Sequence, residues 1–364
     1  MILLVNQTIG PFFEDISNLL SKKYTIKIFK GIKYRRKFLI ARLFTWTIYT
    51  IQLFIHLIIF RKRYEKILVV SNPPITQFIV GLFGISFSIL IYDIYPNILS
   101  KLEIPNIIFR FIEKIWKFLN SKVYDRAEYI FTLSDEMSNE LEIYFNSKEN
   151  WKKKVKTILP WVNQNLIRNK KSNSESTTNF KKDNTFIICY AGNLGLTHPI
   201  EFLVKGIKNL ENKVKVMIIG DGPKRSAIYK LAKSQNNNIC HFFDYMKSEK
   251  MLDTISSSDL AVVALDKEIA NASLPSKTLT YLHAGTPILC IAPEISSVSR
   301  IIIKYNCGFV IEPNKFAPSA IDKLIKEILL NPKLLEEKKK NTSIALEKYS
   351  FKNCEKLVNL FIEK

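Results

Sequence analysis

Three short stretches of the 364-residue chain place glycines, a hydroxyl and a lysine as a phosphate ligand would require. The first, AGNLG at 191–195, can bring bare backbone N–H groups of Gly192, Asn193, Leu194 and Gly195 close to an anion. It holds no lysine or arginine, so any charge it binds must be neutralised from elsewhere. The second, IGDGP at 219–223, is another strand-to-loop turn in which Gly220 and Gly222 permit close ligand approach. In the third, LPSKTLTYLHAGTP at 274–287, Pro275 and Ser276 open a helix whose first turn contains Lys277. There N–H donors, a hydroxyl and an ammonium converge. Glycine turns after strands are routine in α/β proteins, but three such features in one domain favour a nucleotide diphosphate site.

All three lie where a strand hands over to a helix. In the first half, strands are expected at 2–5, 24–29, 66–71 and 89–96, with a loop containing Gly10, a helix near 12–22 and an apolar block at 38–60. In the second, strands at 185–190, 214–220 and 261–265 alternate with helices near 200–210 and 224–234. The first of these helices would lend its positive N-terminus to the 191–199 loop. This alternation implies βαβ units and parallel sheets. Residues 164–184, rich in Ser, Asn and Lys and without apolar period, form the one convincing linker. Two doubly wound Rossmann-like domains are expected, at 1–163 and 185–345, with a C-terminal helix at 346–364 packing back toward the first. In such sheets ligands bind beyond the carboxyl ends of the strands.

Composition narrows the partners. The chain carries 54 Lys+Arg against 33 Asp+Glu, a net charge of +21, and should associate with something anionic. No nucleic-acid recognition motif accompanies that charge, so nucleic acid is not an expected partner. Five scattered cysteines read as reduced core residues, and four histidines without ligand-like spacing predict no metal. The start, MILLVNQTIG, has no basic n-region or cleavage site and reads as a strand, not a signal peptide.

The apolar block contains 18 residues without formal charge between Arg42 and Arg61. As a helix it would span about 27 Å, close to a bilayer core. Arg42, Thr45, Tyr49, Gln52 and His56 recur on one stripe, with Leu43, Trp46, Leu53, Leu57 and Phe60 elsewhere. That pattern, flanked by Arg35, Arg36, Arg61 and Arg63, suits an amphipathic helix in an anionic interface; a helix buried on the first sheet and a true span are the alternatives. A second basic amphipathic helix is expected at 104–122, with Arg110, Lys114 and Lys117 opposite Ile108, Phe111, Ile115 and Phe118.

Taken in order, SNPPI (71–75), YDIYP (92–96), AEYIFTLSDEMSNEL (127–141), ILPWVNQNLI (158–167), YAGNLG, IGDGP, SSSDLAVVAL (256–265), LPSKTLTYLHAGTPIL and CGFVIEP (307–313) resemble the GT-B glycosyltransferases of family 4, in particular the bacterial surface-polysaccharide branch. The resemblance runs over nearly the whole chain and implies GT-B architecture, two Rossmann-like domains with an interdomain cleft. It implies metal-independent, retaining transfer of a hexosyl or N-acetylhexosaminyl group from a nucleotide-diphosphate sugar, UDP-linked, with no cofactor. The acceptor would be a polyprenyl-diphosphate-linked glycan (undecaprenyl diphosphate) of O-antigen or capsule assembly. The protein would sit peripherally on the cytoplasmic face of the plasma membrane.

The resemblance also suggests roles. Asp93 would be the acceptor-hydroxyl partner or base, with Gly10 beside it on the acceptor side. Tyr245 and Met246 stand where members bind the base through backbone groups. Two departures bear on the donor. Asn193 and His198 occupy positions commonly held by Arg and Lys, and Ala272 and Thr280 occupy those of a Glu-x7-Glu pair. Two readings follow. In one, the GNLG backbone and Lys277 hold the diphosphate, His198 assists when protonated, and Thr280 or Glu268 binds the ribose. In the other, the chain is an inactive membrane-associated partner subunit of a glycan assembly complex.

Overall fold

Parallel strands covered on both faces read as continuous apolar runs, and ILLV, FIICYA and LAVVA are buried along their whole length. A computed structural model describes every residue except 9, 34–38, 98–105, 163–184, 211–212, 236–238 and 364; the side chains of residues 11, 39, 40, 42, 106, 248 and 249 are likewise outside the description. The chain divides into two units: Met1–Asn163 with Asn271–Leu274 and Phe351–Lys364, and Gln164–Ala270 with Pro275–Ser350.

The first unit runs β1 (Ile2–Val5), α1 (Pro11–Ser21), β2 (Ile26–Phe29), α2 (Leu39–Phe60), β3 (Lys66–Val70), α3 (Thr76–Val80), β4 (Ser86–Leu90), α4 (Asn106–Arg126), β5 (Ile130–Thr132), α5 (Asp135–Glu140), α6 (Lys148–Lys154) and β6 (Val155–Thr157). Its parallel sheet has the order β2-β1-β3-β4-β5-β6. The second unit runs β7 (Phe186–Ala191), α7 (Glu201–Gly206), β8 (Val214–Ile219), α8 (Arg225–Ser234), β9 (Cys240–Phe243), α9 (Ser248–Ser256), β10 (Leu260–Ala264), α10 (Lys277–Ala284), β11 (Ile288–Ile291), α11 (Ser297–Tyr305), β12 (Gly308–Ile311), α12 (Ala317–Leu330) and α13 (Lys333–Glu347). Its order is β12-β11-β10-β7-β8-β9, the doubly wound arrangement in which direction reverses between β7 and β10. The last helix, α14 (Lys352–Ile362), belongs to the first unit, where Asn353 Nδ2 donates to the Pro160 carbonyl at 3.3 Å. The chain thus has a two-domain, Rossmann-like α/β fold.

Three elements differ from their sequence reading. The strand expected at 89–96 is β4 at 86–90, so Asp93 lies in the loop beyond it. The helix expected over 200–210 is α7, six residues long, after which Ile207 and Leu210 stay buried in turns. The third difference is the facing of α2. Thr45, Tyr49 and Leu53, Leu57 are all buried together with Trp46, whereas Leu43, Phe44, Ile51, Ile55, Ile58 and Ile59 point outward, the last two 55% and 62% exposed. The mixed stripe went in, and the outward face is mostly apolar, with Thr47 and Gln52 also exposed.

Candidate functional site

Because β7 and β8 pair in parallel, with Ala191 opposite Ile219, their loops leave the sheet at the same edge. The two glycine turns are zippered together there. Gly192 N–H donates to the Ile219 carbonyl at 2.9 Å, Leu194 N–H to Asp221 at 2.9 Å, and Lys224 N–H to Leu194 at 3.0 Å. Gly220, at φ +128°, would carry a Cβ 2.1 Å from the Gly192 carbonyl oxygen, and Gly222, at φ +152°, one 2.6 Å from that of Leu194. These glycines serve first to let the two loops touch. The zipper also sorts the donors: the Leu194 N–H is spent, while those of Asn193 and Gly195 have no acceptor among the described residues.

The missing cation stands beside this loop. α10 begins at Lys277, whose Nζ donates to Tyr190 Oη at 2.7 Å and sits 4.0 Å above the Tyr190 ring centroid. A Cβ built on Gly192 would lie 3.4 Å from that nitrogen. Tyr190 Oη in turn donates to the Asn193 carbonyl at 2.6 Å. On the same helix Tyr281 Oη accepts from the Ala191 N–H at 2.9 Å and donates to its carbonyl at 3.1 Å. Two buried phenols therefore fasten the strand end and loop to α10. Desolvation lowers the Lys277 pKa to about 7, and no carboxylate among the described residues pairs with it. All this sits at the reversal between β7 and β10, where the Asp266 N–H reaches the Thr197 carbonyl at 3.0 Å and where doubly wound sheets hold their ligands.

The remaining donor-side candidates fall around it. His198 is half-buried, its Nδ1 3.3 Å from Thr197 Oγ1, and desolvation followed by Lys277 and Lys224 lowers its pKa to about 3. Without an anion beside it the imidazole is neutral near pH 7. α7 offers no dipole of consequence, and Glu201 in its first turn holds Lys224 Nζ at 2.6 Å. Pro275 is buried; Ser276 is exposed and its hydroxyl caps no N–H of α10. Thr280 lies half-buried one turn after Lys277. Tyr245 is exposed, Met246 Sδ accepts from Thr254 Oγ1 at 3.8 Å, and Glu268 is exposed in a 3-10 turn. Sequence reasoning missed Tyr190, Tyr281 and Lys224. The first two sit in runs that read as core, and Lys224 follows the GDGP turn it was not counted with.

In the first unit, half-buried Asp93 bridges antiparallel to Ser273, and the Ile94 N–H donates to the Ala272 carbonyl at 2.9 Å. Asn271 Nδ2 adds a bond to Glu140 Oε1 at 3.3 Å. Gly10 precedes α1 in extended conformation, and nothing lies within 4 Å of a Cβ placed on it. Trp46, expected at the surface, is instead buried edge-on against Tyr95, with centroids 6.2 Å apart. Arg61 and Arg63 are exposed just after α2, and Arg110 and Lys114 on α4; Lys117 pairs with Glu113 at 2.8 Å. Arg35, Arg36 and the side chain of Arg42 lie outside the described residues. Among the described residues no three His, Cys, Asp or Glu side chains form a group able to hold a metal.

Residues 171–344 match the family model Glycosyl transferases group 1. The probable glycosyltransferase WbjE of Pseudomonas aeruginosa is 22% identical over 276 residues, 73% of this chain and 66% of that relative. Two further relatives are matched over 37% and 53% of their lengths, so the chain spans less than two thirds of the relatives it matches. Among solved structures, WaaG, a glycosyltransferase involved in lipopolysaccharide biosynthesis, superposes with TM-score 0.73 at 14% identity, with both chains covered completely. Anabaena HepE in complex with UDP-glucose does so with TM-score 0.70 at 11% identity, covering 98% of each chain. These likenesses show a GT-B-type fold.

Proposed function

We propose that the chain is a glycosyltransferase that moves a hexosyl or N-acetylhexosaminyl group from a UDP-linked donor to a polyprenyl-diphosphate-linked glycan, with retention and without a metal, in surface polysaccharide (O-antigen or capsule) assembly. The observation that carries this reading is Lys277, a desolvated amine without a carboxylate beside two unused loop N–H groups. When the bond from C1 to the diphosphate breaks, the leaving oxygen gains charge. Lys277 and the N–H groups of Asn193 and Gly195 stabilise it, the dominant catalytic contribution at such a site. Thr280 binds the ribose, and Asp93 partners the acceptor hydroxyl or takes its proton.

The outward apolar faces of α2 and α4, edged by Arg61, Arg63, Arg110 and Lys114, suit peripheral docking on the anionic cytoplasmic face of the plasma membrane. One stretch, Leu43–Arg63, is also long and apolar enough to cross a membrane. UDP, GDP and dTDP sugars offered with a lipid-linked acceptor extract test the activity; absence of turnover from folded protein with every donor ends it. A neutral His198 where the family commonly has a cation favours a second reading, an inactive partner subunit. Liposome binding without any nucleotide binding selects that one.

A further inference from the structure

We infer that Lys224 is a positioning residue that aims the Gly195 N–H at the donor's diphosphate without itself touching the donor. The inference rests on the donor reading above and goes beyond it, because it assigns a part in binding to a cation outside both the loop and the helix that carries Lys277.

The aim of an N–H follows from the carbonyl of its own peptide, since a trans peptide is planar and its two polar ends point in opposite directions. The peptide between Asn193 and Leu194 is pinned at both ends: its carbonyl accepts from Tyr190 Oη at 2.6 Å, and its N–H donates to the Asp221 carbonyl at 2.9 Å. The next peptide, also trans, is pinned at one end only. Its Leu194 carbonyl accepts from the Lys224 N–H at 3.0 Å, while its Gly195 N–H, directed the other way, has no acceptor among the described residues. Lys224 also holds the chain beyond the glycine. Its Nζ donates to the His198 carbonyl at 3.0 Å, and the His198 N–H donates to the Gly195 carbonyl at 3.1 Å. One residue therefore grips the turn on both sides of Gly195, by its main chain before the glycine and by its side chain after it.

The same side chain is not a second ligand for the diphosphate. An ammonium group donates only through its N–H bonds, and three oxygens already receive those of Lys224. They are the His198 carbonyl at 3.0 Å and the two Glu201 carboxylate oxygens at 2.9 and 2.6 Å. The side chain is 18% exposed, and its charge is cancelled by the carboxylate in the first turn of α7. Lys277 differs on both counts: it donates to the Tyr190 phenol, and no carboxylate among the described residues pairs with it. The two lysines thus divide the work, Lys277 supplying charge and Lys224 holding the turn that presents the N–H.

The test is titration of the full chain with UDP, read by calorimetry and by the amide signals of isotope-labelled glycines, of which the chain has 11. Gly195→Ala assigns its signal. In the wild type the Gly195 amide proton should move downfield at saturation, as expected of an N–H that donates to an anion. The comparison is Lys224→Met combined with Glu201→Gln, which removes both charges of the pair, leaves the net charge unchanged and keeps the main-chain bond to Leu194. This double variant should bind UDP about tenfold more weakly, the worth of one charge-assisted hydrogen bond. Its Gly195 shift should be lost, and its melting should barely move because the pair is partly exposed. Glu201→Gln alone leaves Nζ on the His198 carbonyl and should keep the shift. An intact Gly195 shift in the double variant overturns the proposal whatever its affinity, and so does UDP binding to wild type without movement of that amide; both leave the donor reading standing. Loss of the shift in Glu201→Gln also overturns it, because the aim would then depend on the carboxylate and not on the grip at His198. Failure of UDP to bind the wild type overturns this inference and the donor reading together.

Discussion

The loops that follow the first strand of each sheet sit at equivalent places and are built in opposite ways. After β1, polar side chains do the fastening: Gln7 Nε2 donates to the Ile32 and Thr45 carbonyls at 3.2 and 3.0 Å, and Asn72 Nδ2 reaches Thr8 Oγ1 at 3.4 Å. Gly10 in that loop needs neither a positive φ nor close approach. After β7, backbone meets backbone across Gly192, Gly220 and Gly222, and the cations come from outside the loop, Lys277 from α10 and Lys224, whose Nζ donates to the His198 carbonyl at 3.0 Å. Topology sets where a ligand can sit in each sheet. The groups each unit presents set what it can be: two unused N–H groups and an amine held by a phenol in the second, outward apolar helix faces and the Asp93 carboxylate in the first.

The contrast breaks most readily at the zipper. Gly220→Ala puts a Cβ into the Gly192 carbonyl at a φ that alanine rarely adopts, so backbone has to move. The expected cost is more than about 3 kcal/mol, with loss of UDP binding, read by denaturant unfolding and calorimetry. A fully stable Gly220→Ala protein would mean that the two loops do not depend on each other.

Lys277→Ala comes next. It should weaken UDP binding by about 10–100-fold, the worth of a charge-assisted hydrogen bond, whereas His198→Ala should change it only a few-fold because that imidazole is already neutral. Equal effects would move the assignment from the lysine to the histidine. Stability should respond in the opposite sense. The amine titrates near 7 in the folded chain and near 10.5 unfolded, so the unfolded state holds the extra proton between those values and wild-type stability rises with pH across that window. Lys277→Met removes the penalty, so ligand-free variant should melt above wild type at pH 6 and lose that advantage by pH 10.5.

How much of this was legible in the residues depends on which partner a residue needs. Lys277 stood out because a lysine after Pro-Ser at a helix start has a known use. Tyr190 did not, since a tyrosine ending FIICYA is indistinguishable from core until its hydroxyl is seen between Lys277 and Asn193. The facing of α2 was unreadable for a related reason. Both of its stripes are largely apolar, and Thr50 satisfies its hydroxyl within the helix, donating to the Trp46 carbonyl at 2.7 Å, so a hydroxyl can face inward at little cost. Periodicity found the two faces; only packing against the rest of the first unit chose between them. The alternating strands and the two doubly wound sheets, by contrast, follow from apolar runs that no other arrangement buries on both faces.

The outward face of α2 gives a smaller, cleaner effect. Ile51→Asp with Ile55→Asp changes two exposed positions, so melting should barely move while binding to phosphatidylglycerol vesicles drops about tenfold through lost apolar insertion and added repulsion. The buried control, Leu57→Asp, should unfold the first unit instead. Unchanged vesicle binding by the double variant would leave that face without a membrane role.

The smallest effect tests the other side of the opening contrast. Gly10→Ala meets open space at an extended φ and should cost within about 0.5 kcal/mol, the modest loss of exchanging glycine for alanine before a helix. Turnover with a lipid-linked acceptor should also hold. If melting is unchanged but turnover falls, the loop after β1 needs bare backbone for its acceptor as the loop after β7 needs it for its neighbour. Gly10 would then belong to the acceptor site, and the two loops would differ in what they approach, no longer in how they are built.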